Sequence, residues 1–73
     1  MNNRKSLYDR IRDNNLSFVW LISILKNNGI QTDKSEMSSA AKGTISGKKA
    51  NDIVEKSHQI LDKYEEFIRS IKV

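Results

Sequence analysis

Apolar residues recur at three- and four-residue steps along most of this chain, and short polar or glycine-containing breaks divide them into four runs. In the first run Leu7 and Ile11 fall four apart with Tyr8 beside them, which predicts a helix over 6–14 with Ser6 as its N-cap. Asp13, Asn14 and Asn15 end it, because their side chains compete with the helix for backbone hydrogen bonds. The second run, "SFVWLISILKNNG", predicts a helix from Ser17 to Asn27 or Asn28. Phe18, Leu21, Ile22 and Leu25 form one stripe, and Val19, Trp20 and Ile24 cover a second side. A helix apolar nearly all round belongs in the centre of its domain, so Trp20 is expected in the core. Gly29 can take the left-handed conformation that stops this helix, and Ile30 then tucks back onto the core.

The third run is short and mostly polar. A helix is expected from Asp33 or Lys34 to Lys42, closed by Gly43. Asp33 and Glu36 have capping-box spacing: an acceptor at the cap and an acid three residues on that reaches back. Met37, Ala40 and Ala41 look inward, leaving Lys34, Ser35, Ser38, Ser39 and Lys42 to look outward. Serine is a mediocre helix former, so a surface of serines and lysines is a poor choice for stability alone. It does let a backbone approach a phosphate or a base edge closely, with hydroxyls to donate or accept.

The fourth helix is expected from Lys48 or Lys49 to about Ser70. Ala50, Ile53, Val54, Ile60, Leu61, Tyr64, Phe67, Ile68 and Ile71 repeat at helical steps, with Ser57 in the intervening slot. Asp52 with Lys56 and Glu65 with Arg69 stand at the supportive i,i+4 spacing. At 1.5 Å per residue this helix is roughly 30 to 35 Å long, enough to outrun the first three helices. Its last turns then offer Tyr64, Phe67, Ile68 and Ile71 as a pairing surface, unless the first helix covers them.

At 73 residues the chain is one domain, with 1–5 a flexible N-terminus. No proline and few strand-like alternations point to an all-α fold. The net charge is +4, unevenly spread: residues 1–49 hold nine Lys and Arg against four acids, or +5, and residues 50–73 hold four against five, or −1. A basic field of this kind attracts polyanions and speeds their encounter. With no cysteine there is neither a disulfide framework nor a thiolate metal site, which fits a reducing cytoplasm. His58 alone cannot hold a metal and is expected at a surface or rim. No cofactor is implied, and no enzyme: the chain has no histidine–carboxylate set, no glycine-rich phosphate loop and no base near Ser38 or Ser39 in sequence. "FVWLISIL" is broken by Ser23 and followed by Lys26, too short to span a membrane, and no signal peptide is expected. A membrane-surface peptide is disfavoured because the basic residues and the apolar face do not share one helix.

An apolar helix, a glycine-containing turn, a short polar helix ending in Gly and then basic residues make a helix-turn-helix arrangement over 17–43, followed by the long C-terminal helix over 48–70. The second helix is the platform, and the third, the reading helix, is held proud of it to enter a major groove of double-stranded DNA. Through Trp20, Leu21, Ile22, Leu25, Gly29, Ser35, Met37, Ser38, Gly43, Lys48, Lys49 and Ile53, residues 16–61 resemble small lambda-repressor-like (Cro/C1-type) regulators of temperate phages and mobile elements of Gram-positive bacteria. The resemblance implies a compact four- or five-helix domain that binds operator DNA as a homodimer in the bacterial cytoplasm. It places base contacts on Lys34, Ser35, Ser38 and Ser39, and phosphate contacts on Lys42, Thr44, Lys48 and Lys49. Ala40 and Ala41 stand where that family carries larger apolar residues, so the reading helix has less side chain to anchor it. A second function therefore stays open: an antirepressor whose polar helix docks on a phage repressor and masks its DNA-reading surface. Glu36 on the reading helix suits that alternative, and equally suits a capping box or a contact to a cytosine amino group.

Overall fold

The computed structural model describes residues 6–71, so the expectation for 1–5 lies outside it. Four helices follow one another: α1 (Leu7–Asp13), α2 (Phe18–Asn27), α3 (Lys34–Lys42) and α4 (Lys48–Ile71). The fold is all-α, as the periodicity predicts. Each of the first three helices begins on a side-chain cap: Ser6 accepts from the Asp9 N–H, Ser17 from Trp20 and Asp33 from Glu36.

One device ends all three. Asn15, Gly29 and Gly43 take positive φ of 56°, 85° and 79°. Each left-handed residue donates to the carbonyl three back, and the residue after it donates to the carbonyl five back: Leu16 to Ile11 (2.9 Å), Ile30 to Leu25 (2.9 Å) and Thr44 to Ser39 (3.0 Å). These are Schellman closures. Leu16 and Ile30 then fold an apolar side chain back against the core. Thr44 is polar and instead donates its hydroxyl to the Ser39 carbonyl at 3.1 Å, so the segment after α3 stays at the surface.

Packing corrects one expectation. The central element is α4, which buries Ala50, Ile53, Ser57, His58 and Leu61, whereas α2 buries only Leu21 and Leu25. α1, α2 and α3 each pack against α4, and α3 also rests on α2. The other helices do not surround α2 on every side, so Val19 stays 62% exposed and Trp20 is half-buried, its ring edge-on to Tyr64 at 5.5 Å. The 24 residues of α4 span about 36 Å, nearly the 39 Å longest dimension of the molecule.

His58 is a second correction. It lies in the α1–α4 interface, 5% exposed, because Arg10 of α1 reaches across to it. The Arg10 Nη1 stands 2.9 Å from His58 Nδ1, and since a guanidinium offers only donors, that ring nitrogen accepts. Arg10 is itself buried; its other nitrogens meet Asp62 at 2.8 Å and Glu65 at 3.0 and 3.4 Å. Glu65 thus pairs across the interface, and Asp52 pairs with Lys48 at 2.9 Å, where Arg69 and Lys56 were the expected partners.

Ser57 is fully buried with no hydrogen-bond partner for its hydroxyl among the described residues. An orphaned buried donor costs about 1–3 kcal/mol, and alanine is also the better helix former. Ser57→Ala is therefore expected to stabilise the fold by about 1 kcal/mol, seen as a higher urea midpoint at unchanged slope. A lower midpoint would show that the hydroxyl has a partner in solution.

Candidate nucleic-acid interface

The exposed face of α3 and the start of α4 make one basic surface. Lys34, Ser35 and Lys42 are exposed on α3, and Thr44, Lys48 and Lys49 are exposed after it. Lys34 and Lys42 enter no ion pair among the described residues. The two α4 lysines are already engaged: Lys48 with Asp52 at 2.9 Å and Lys49 with Glu36 at 3.2 Å.

Glu36 does not take the role expected of it at the cap. Its Oε1 accepts from the Thr32 hydroxyl at 2.7 Å and meets Lys49, so it staples the α2–α3 turn and the start of α4 to the first turn of α3. The Thr32 hydrogen bond, followed by that from Lys49, holds its carboxyl below the ordinary carboxylate range. The capping box is thus one-sided: Asp33 accepts from the Glu36 N–H at 2.7 Å, while the Glu36 side chain is turned to its neighbours.

The outward row is narrower than the helical spacing predicts. Ser38 and Ser39 are half-buried. Ser38 faces α1, where the Tyr8 hydroxyl contacts both its Oγ and, at 3.5 Å, its carbonyl oxygen. The exposed face of α3 is therefore Lys34, Ser35 and Lys42, with Ser39 at its edge. Behind it α3 inserts Met37, fully buried, and Ala40, 5% exposed, with Ala41 partly covered.

The expected pairing strip is divided. Tyr64 and Ile68 are half-buried, Tyr64 against Trp20, while Phe67 and Ile71 are 60% and 62% exposed. α1 covers only the Glu65 side of these turns, through Arg10 and Asn14. Two residues that shape this region, Arg10 and Thr32, were not singled out by periodicity, and Tyr8 was placed only as a neighbour of the Leu7 and Ile11 stripe. A trace of Arg10 was present, since it stands three residues after Leu7 on the apolar side of α1.

Comparison with protein-family models, with curated proteins and with solved structures gives no match for this chain. Among the described residues no helix is long and apolar enough to cross a membrane.

Proposed function

We propose that this protein is a small transcriptional regulator of phage type, working in the cytoplasm of a bacterial host, that binds operator DNA through α2 and α3 as a helix-turn-helix. The observation that carries this reading is the pairing of Lys34 and Lys42, exposed and outside any ion pair among the described residues, with a helix that is capped at Asp33, closed at Gly43 and stapled through Glu36. A rigid rod with cations at both ends and a small serine between them suits insertion into a major groove flanked by phosphates. Phosphates can replace Asp52 and Glu36 as partners of Lys48 and Lys49, which lie one loop beyond the rod. A homodimer would use the exposed apolar side chains Phe67 and Ile71.

The antirepressor alternative draws on the same surface. Two of its four lysines are internally paired, which weakens its attraction for DNA and leaves a mixed-charge face fit for docking on a phage repressor.

Fluorescence anisotropy with the phage promoter region across a salt series decides between them. Direct binding should weaken steeply with salt, with a slope of about 0.9 for each of about four to six phosphates per protomer. Lys34→Ala should change the preference among sequences, and Lys48→Ala should weaken binding to all of them alike. Phe67→Asp should shift saturation to higher protein concentration with preferences intact. A flat response to DNA, together with a stable complex with the repressor, would replace this reading with the antirepressor one.

A further inference from the structure

We infer that Tyr8 of α1 is a positioning residue that fixes the rotation of α3 about its own axis; the consequence for DNA rests on the reading just proposed. The core holds α3 through one long side chain, Met37, and through the methyl groups of Ala40 and Ala41. A single flexible methionine and two methyl groups make a shallow socket, and a helix seated this way can roll at small cost in contact. The roll is opposed from the side. Tyr8 is anchored by its ring, packed edge-on against Phe18 of α2 at 5.0 Å, and its hydroxyl engages Ser38 at both Oγ and the main-chain carbonyl. Ser38 stands four residues after Lys34 and four before Lys42, so a clamp there sets the direction of both reading-face lysines. α1 is in turn held to α4 by Arg10. The orientation of the reading face is thus referred to the central helix through α1, a helix outside the proposed helix-turn-helix.

This makes Tyr8 a determinant of discrimination more than of attraction. Base contacts require α3 at one angle, whereas phosphate contacts from Lys48 and Lys49 on α4 do not depend on that angle.

Tyr8→Phe keeps the ring against Phe18 and removes only the hydroxyl. Two measurements follow. Amide hydrogen exchange in 37–42 is expected to rise about three- to tenfold, the equivalent of one ordinary hydrogen bond, while 53–61 of α4 is unchanged. Ser38→Ala, which leaves the main-chain contact in place, should give part of that rise, and combining it with Tyr8→Phe should add nothing beyond Tyr8→Phe alone. In DNA titrations the ratio of specific to non-specific affinity is expected to fall by a similar factor at an unchanged salt slope. Exchange that rises equally in α3 and α4 would mean that Tyr8 is only part of the general packing, and the inference would be withdrawn. Unchanged exchange in 37–42 would also overturn it. If the parent binds no DNA, the regulator reading fails by itself, and the exchange data still decide the role of Tyr8.

Discussion

Replacing Arg10 by alanine is expected to lower the stability of this domain by about 2–4 kcal/mol. A 73-residue domain has on the order of 4–11 kcal/mol in all, so the loss is a large fraction. The size follows from what the guanidinium holds. Its side chain is 8% exposed, it donates to Asp62 and Glu65, and it satisfies His58 Nδ1 and, at 3.4 Å, the His58 carbonyl. Alanine would remove the Arg10 hydrogen bond from the buried imidazole and leave an unfilled space where the alkyl stem lay. The effect stays below that of a fully buried ion pair because the Asp62 and Glu65 side chains are 69% and 37% exposed and can turn to water. Arg10→Lys should recover little, since one ammonium cannot span both carboxylates and the imidazole.

The same contact gives a pH signature. The Arg10 hydrogen bond, partly opposed by burial and aided by Asn14, holds the Glu65 carboxyl below its ordinary range. A group whose folded value is depressed contributes stability above its unfolded value, about 4.3, and that contribution disappears as pH falls through the folded value. Acid should therefore destabilise the parent below about pH 4.3, and Arg10→Ala should flatten that limb. Urea unfolding at pH 7 and across pH 2–5 checks both statements; a variant within about 0.5 kcal/mol of the parent would mean that the cluster is not closed in solution.

These two results concern a feature that the sequence hides. What could be read from it is local. Ser6, Ser17 and Asp33 cap amides three residues on, and Gly29 and Gly43 close helices at their own positions, so a short window holds all the information needed. The α4 stripe was legible for the same reason, its period repeating over 24 residues. Arg10 and His58 are 48 residues apart, and nothing in either neighbourhood specifies the other. Ser38 shows a subtler limit. Helical spacing put it outward relative to Met37, but α1 occupies that side and half-buries it, and which helix lies beside a given face is decided by packing. Glu36 likewise had the correct spacing for a capping box, yet Thr32 and Lys49 compete for its carboxylate and win. The proposed interface was therefore legible as a helix and a set of cations, and was not legible as a face with edges.

Met37→Ala tests how that face is seated, and its effect should match or exceed that of Arg10→Ala. Met37 is fully buried, and α3 has no other long apolar side chain to offer the core. Truncating a buried methionine to alanine costs about 2–5 kcal/mol, combining lost transfer energy with the cavity left behind. Because α3 touches both α2 and α4, the cavity opens at the junction of three helices, where a neighbour can relax into it only by loosening another contact. Met37→Leu conserves volume and should stay within about 1.5 kcal/mol. The pair of variants separates two ways in which α3 could be held. If the methionine seats it, Met37→Ala lowers the urea midpoint, Met37→Leu nearly restores it, and any DNA affinity follows the folded fraction. If the Glu36 staple and the Tyr8 clamp hold α3 without help from the core, Met37→Ala stays within about 0.5 kcal/mol of the parent. The shallow-socket picture, in which one side chain carries the seating and Tyr8 only sets the angle, would then have to be abandoned.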